Sequence, residues 1–456
     1  MTAETTGPEG PITDPAERRR EQRGWYFYDF ACSVYSTSVV TVFLGPYLNS
    51  LASAAADGGK YVRPLGIPVH VDSLFAYAVS ASLVVAIIAM PLVSAAADRQ
   101  GRKKPLLAAA AYIGAGATTG MFFLKDDRYL LGAFLLIVAN AALAVSMMLY
   151  NSYLPQISGP EERDAVSSRG WAFGYTSGAL VLVLDLVLYT NHASFGLEEG
   201  EAVRICLASA GLWWGAFALI PLRRLRDRHM PPPAATGAPS GAVGAGWRQL
   251  RATLVDMRNH PKTLAFLLAY LVYNDGVQTV ISQAAVFGKN ELGLEQTTLI
   301  TAVLLVQVLA VAGALAMGRI ARTHGAKRTI LGALVVWTLI LMAGYLLPAG
   351  APVFFYCLAA AIGLVMGGTQ ALSRSLFSHT VPEGKEAEYF SAYELSDRGL
   401  SWLGPLVFGL VNQLTGSYRA AIISLVIFFV AGFVLLARVP VREAAREAGN
   451  VVPERI

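Results

Sequence analysis

Charge is scarce in this chain of 456 residues: Asp, Glu, Lys and Arg together make up 15%, against 55% hydrophobic residues. An ordinary soluble domain carries about 25% charged residues, so that class is excluded. Cysteine is scarcer still, with three. Cys32, Cys206 and Cys357 all fall in apolar stretches, which offers neither a disulfide framework nor a thiolate metal centre and reads them as small core residues. Of the six histidines, His192, His229, His260, His324 and His379 lie in or near loops. There is no His-Glu-x-x-His pair, no Walker loop and no polar stretch long enough for a soluble catalytic domain. Enzymatic chemistry, cofactors and metals are therefore not expected. The first 24 residues carry Arg18, Arg19, Arg20 and Arg23 but no short apolar core ending at a small-residue cleavage site. The first apolar helix is then expected to be its own insertion signal.

What the chain has instead is long apolar runs. Twelve stretches are each long enough to cross about 30 Å of hydrocarbon as a helix: 25–49, 72–95, 104–124, 129–156, 166–190, 204–222, 263–288, 297–320, 328–348, 352–378, 389–413 and 418–438. The expected fold is an all-α membrane protein of twelve transmembrane helices in two pseudo-symmetric six-helix bundles. Loops on the side of both termini carry 28 Lys and Arg and the opposite loops seven, with Arg398 inside the eleventh stretch. That asymmetry predicts cytoplasmic termini and accounts for the basic balance as orientation charge, not nucleic-acid binding.

Between the sixth and seventh stretches, "RRLRDRHMPPPAATGAPSGAVGAGWRQLR" turns from basic to rich in Pro, Gly and Ala, the composition of a flexible linker. It divides the chain into an N-terminal arm 1–24, a bundle 25–222, a linker 223–262, a bundle 263–438 and a tail 439–456. The bundles echo one another. "DRQGRKK" at Asp98 reappears degraded as "RTHGAKR" at Arg322, and "PEERD" at Pro160 as "PEGKE" at Pro382, at nearly one offset. Tyr28 and Asp29 likewise match Tyr273 and Asp275. Duplicated six-helix halves imply a transporter architecture with a central site between halves that rock in alternating access.

"DRQGRKK" resembles the cytoplasmic signature of the major facilitator superfamily, although Ser94 stands where the pattern's leading glycine is expected. "WYFYDFACSVYST", "YNSYLPQI", "FLLAYLVYNDGVQTVI" and "GGTQALSRSLFSHTVPEGKEAEYFSAYELSDRGLSWLGP" are similar to the branch containing fungal vacuole effluxers linked to autophagy and their bacterial relatives. The resemblance covers about 24–438. It implies movement of amino acids, notably efflux of neutral ones. The Ala-, Gly- and Arg-rich composition suggests a bacterial chain in the cell membrane.

Candidate site residues follow from polar groups in apolar helices, which are costly against lipid and so belong inside. In the seventh stretch Asn274, Gln278 and Ser282 form one stripe beside Asp275 and Thr279; in the first, Asp29, Ser33, Ser36 and Thr37 repeat it. Each acid reads either as a site group or as packing, and Asp29 also as the partner of an N-terminal arginine. In the fourth, Asn140, Met147 and Asn151 share a face next to Tyr150, and in the tenth Gln370, Ser373 and Arg374 do so, Arg374 also reading as a snorkelling cation. Asp29, Tyr150, Asn151, Asn274, Asp275, Gln278 and Gln370 are the substrate-binding candidates, in a cavity lined by the first, fourth, seventh and tenth helices. Glu394, Asp397 and Arg398 have the spacing that lets one arginine serve two acids, as a packing device or as a switch. They join Asp98, Gly101, Arg102, Lys103 and Arg374 as candidates for coupling or gating, Asp98 and the basic residues after it forming a cytoplasmic latch. The glycines Gly170, Gly174 and Gly178, with Gly363, Gly367 and Gly404, permit close helix approach. The expected partners are a small organic solute, protons as a candidate coupling ion, and membrane lipid, with the protein a monomer. Export of drugs or other amphipathic solutes, and a sensor that moves nothing, remain the alternatives.

Overall fold

The structure, a computed structural model, describes residues 14–56, 59–228, 255–398 and 403–456. The predicted linker falls largely outside them.

The first helix, α1 (Pro15–Ala55), begins well before its apolar stretch. Asp14 accepts a hydrogen bond from the Ala16 amide at 2.9 Å, and Pro15 takes the first position, where its missing N–H costs nothing. Over Tyr35–Phe43 the helix widens into a π-helical turn, seen in the Leu44 amide bonding to Val39 O five residues back. A small antiparallel pair, β1 (Tyr61–Val62) and β2 (Val69–His70), follows in the loop. Then come α2 (Leu74–Gln100), α3 (Lys103–Gly120), α4 (Tyr129–Asn151), α5 (Arg163–Thr190) and α6 (Glu199–Arg224). Glu199 and Glu201 open α6 and Arg223 and Arg224 close it, each complementing the helix dipole. Beyond the linker lie α7 (Pro261–Asn290), α8 (Gln296–His324), α9 (Ala326–Tyr345) and α10 (Pro352–Ser378).

The eleventh apolar stretch is two helices, α11 (Glu386–Arg398) and α12 (Leu403–Thr415), on either side of residues outside the description. Pro405 has no N–H and its ring would clash with a carbonyl four residues earlier, so the first turn of α12 is where it costs least. The last span is α13 (Tyr418–Arg438), and α14 (Val441–Glu447) follows in the tail. Eleven helices among the described residues are long and apolar enough to cross a membrane. Leu212, Leu339, Phe354 and Ile427 stand exposed on these helices, as side chains facing hydrocarbon should. Cys357 is one of these outward positions, which corrects the reading of all three cysteines as core residues; Cys32 and Cys206 are buried.

Among the described residues two compact units result, one drawn from 14–150 with 176–228 and the other from 151–175 with 255–456. The first is centred on α6, against which α1 and α3 pack, with Trp214 fully buried over Gly114, where any side chain would collide with the ring. In the second, α8 and α10 run backbone to backbone. A Cβ at Gly363 would come within 2.7 Å of Val306 O, and one at Gly367 would strike Ala310 O. The first half of α5, from Arg163, belongs to this second unit.

Candidate functional site

In the second unit the polar side chains of α7, α10 and α11 close into one network. Asn274 donates to the Asp397 carboxylate at 2.8 Å and accepts from Gln370 Nε2 at 2.8 Å. Tyr270 OH donates to the same Asp397 oxygen at 2.7 Å, and Tyr273 OH pairs with Ser373 Oγ at 2.6 Å. The Tyr270 ring stacks on Tyr393 with centroids 4.4 Å apart, so the apolar faces of the tyrosines wall the network that their hydroxyls serve.

Asp275, one residue on, faces elsewhere. Its Oδ2 accepts from the Gly404 amide at 2.7 Å, one of the orphan N–H groups at the start of α12. Its Oδ1 is buried without a hydrogen-bond partner among the described residues. Gly404 is required there, because a Cβ would run into the Thr279 hydroxyl. Neither Asn274 nor Gln278 reaches the Asp275 carboxylate, and the half-buried Gln278 makes no side-chain hydrogen bond among the described residues. The single polar arc expected of α7 is thus divided between two neighbours.

A second cluster lies around Arg374. Its guanidinium, 1% exposed, donates to Ser167 Oγ and Ser167 O at 2.9 Å each and to Asn151 Oδ1 at 3.2 Å, and its carbon lies 5.4 Å from the Trp171 ring centroid. It does not snorkel. Asn151 in turn donates to Glu394 Oε1 at 2.7 Å. Glu394 thus takes Asn151 while Asp397 takes Asn274 and Tyr270; the expectation that Arg398 serves both acids falls on a side chain outside the described residues. Arg163, from the "PEERD" echo, completes the docking of this segment by donating to Ser378 O at 3.1 Å and to His379 Nδ1 at 3.3 Å.

In the first unit Tyr150 OH donates to Asp29 Oδ2 at 2.7 Å while Trp25 stacks on Tyr150 at 4.4 Å and donates to its carbonyl at 2.9 Å. Asp29 is 3% exposed. Asn140 links Tyr35 OH, at 2.9 Å, to Ser82 Oγ, at 3.2 Å. At the signature loop, Lys103 Nζ lies 3.4 Å from Asp98, Gly101 adopts a left-handed φ of 61°, and Asp227 accepts from the Lys104 amide at 2.8 Å. Arg102 is exposed.

Sequence reasoning passed over Ser167, Trp171, Tyr270, Arg163 and the buried ion pair of Glu21 with Arg228. Arg163 alone carried a signal, its place in the internal repeat. No group of three or more His, Cys, Asp or Glu among the described residues is placed to hold a metal.

Known proteins resemble this chain along nearly its whole length. The family model described as "Vacuole effluxer Atg22 like" matches residues 17–449. An uncharacterized MFS-type transporter of Bacillus subtilis, YxiO, is 26% identical over 92% of this chain and 95% of its own length. Autophagy-related protein 22 of Kluyveromyces lactis is 27% identical over 98% of this chain and 99% of its own. Among solved structures, the E. coli fucose:proton symporter superposes with a TM-score of 0.66 at 11% identity, over 93% of this chain and 98% of its own. The proton:xylose symporter XylE does so at 0.65 and 14%, over 93% and 95%. At such identities these superpositions establish the fold, that of the major facilitator transporters. The chain belongs to the Atg22-like vacuole effluxer family, within the major facilitator superfamily.

Proposed function

We propose that this protein moves an amino acid across the cell membrane by alternating access, as a monomer with both termini in the cytoplasm. The observation that carries this reading is Asp275. Its carboxylate is buried among the membrane helices, one oxygen is held by a backbone amide, and the other has no hydrogen-bond partner among the described residues. A charge so placed is expensive unless something meets it, and an ammonium group or a proton answers that need. Asn274, Gln370 and Tyr270, in the separate network of α7 and α10, are neutral groups whose hydrogen bonds a solute carboxylate would take over from Asp397. Asp29 with Tyr150 is the corresponding acid and phenol of the first half, and Asn151 and Gln278 complete the substrate-binding set.

Coupling and gating fall to the remaining groups. The Asn151 to Glu394 and Arg374 contacts hold the 151–175 segment, and Asp98, Gly101, Arg102 and Lys103 form the signature loop; Asp397 and Arg398 lie one helical turn from Glu394. Such contacts shift transport only if they differ between states.

Purified protein in liposomes, screened with labelled neutral, acidic and basic amino acids with and without a pH gradient, tests the reading. Saturable uptake of one amino-acid class supports it. Uptake of amphipathic drugs alone, or of nothing, overturns it.

A further inference from the structure

Another buried carboxylate stands apart from both sites. Asp185 lies near the outer end of α5, 4% exposed, in the first unit. Ser209 of α6 donates to its Oδ1 at 3.3 Å while also bonding to Cys206 O at 2.8 Å, so a single hydroxyl proton is shared between two acceptors. The other carboxylate oxygen, Oδ2, is buried with no hydrogen-bond partner. Ser38 of α1, 1% exposed, faces the carboxyl group closely enough to act on it, yet its Oγ makes no hydrogen bond of ordinary geometry among the described residues. The Cys206 thiol points to the Asp185 backbone carbonyl at 3.6 Å.

The groups that face this carboxyl are thus two hydroxyls and a thiol, and none of them is a cation. Toward the outer end α6 carries Glu199, which accepts from Tyr189 OH at 2.6 Å, and Arg204, buried with its Nε unsatisfied, and among the described residues neither hydrogen-bonds to Asp185. A buried carboxylate with no countercharge is among the most costly arrangements a membrane helix can hold. Two buried oxygens, Asp185 Oδ2 and Ser38 Oγ, are left unsatisfied in one place, and a small cation is what satisfies both. Ser38 also sits in the π-helical turn of α1, a distortion that recurs at functional sites and that here sets the hydroxyl on the side of α5.

We propose that Asp185, Ser38 and Ser209 form a site for a monovalent cation, H⁺ or Na⁺, between α1, α5 and α6. It is separate from the Asp29 and Asp275 carboxylates and does not depend on the identity of the solute. Its test needs no substrate. In the full-length protein purified in detergent, infrared difference spectra between pH 5 and pH 9 report carboxyl groups that exchange a proton, and Tm is followed as NaCl replaces choline chloride at constant ionic strength. If the occupant is a proton, the wild type shows a carboxylic-acid C=O band that Asp185→Asn removes, with Tm indifferent to sodium. If it is sodium, Tm rises with sodium at pH 8 in the wild type and is flat in Asp185→Asn. Ser38→Ala, which leaves the acid in place, shifts the band or raises the sodium concentration needed at least threefold, and serves if Asp185→Asn fails to fold. A wild type with neither an exchanging band that depends on these residues nor a sodium response overturns the proposal.

Discussion

The Asn151 side chain donates to Glu394 at 2.7 Å, and through its other atom it accepts from Arg374 at 3.2 Å. One uncharged amide therefore joins a buried anion to a buried cation. Asparagine suits this because it offers an acceptor and a donor at once.

Asn151→Leu should accordingly cost more than its volume suggests. Interhelical hydrogen bonds in membranes contribute about 0.6–2 kcal/mol, and here two are lost while two charges lose a partner. The expected result is a lowered Tm in detergent and slowed transport at normal expression. An unchanged Tm would mean that Glu394 and Arg374 satisfy each other directly.

Asp275→Asn separates the roles open to that carboxylate. If it carries a proton, pH-driven uptake is abolished while solute exchange persists. If it meets the solute, binding and exchange are lost together. Wild-type behaviour in both assays would leave it as the cap of α12, a role in which Gly404→Ala should be at least as damaging because of the Thr279 hydroxyl behind it.

Asp98→Asn, or neutralisation of Arg102 and Lys103 together, should slow transport several-fold with little change in solute affinity. Measured Kd and uptake rate distinguish this from a site defect. Equal rates in inserted protein would reduce the loop to orientation charge.

His379 gives a pH prediction. Burial first, and the Arg163 guanidinium next to it second, hold its imidazole well below the usual 6.5. The folded protein then keeps it neutral, with Nδ1 accepting from Arg163, while the unfolded chain takes up a proton below about pH 6.5. Stability from this group is intact above that pH and is lost as pH falls through it, by at most about 1.4 kcal/mol per unit. Tm measured from pH 8 to 5 should fall more steeply in the wild type than in His379→Gln.

The sequence carried the membrane spans well, and for a physical reason: hydrocarbon thickness sets the length of an apolar run, so 352–378 coincides with α10. It did not carry what depends on partners. Asn274 and Asp275 lie side by side on a helical projection, yet one turns to Asp397 and the other to Gly404. Periodicity reports a face and is silent about which helix stands opposite. Asp185 was missed because in "VLVLDLVLYT" only Tyr189 shares its face, too little to form a polar stripe.

The wide turn at Tyr35–Phe43 changes how α1 should be compared with its relatives. A π-helical turn accommodates a residue beyond the α-helical repeat, and each residue in an α-helix accounts for about 100° of rotation. A relative lacking one residue there would carry a plain α-helix, and everything on the Asp29 side would be turned by that angle relative to Tyr47. Trp25 and Asp29 would then no longer meet Tyr150. At 26–27% identity, a gap placed one position wrongly in this segment misassigns the helix faces by about 100°, so phasing α1 requires matching the two ends separately.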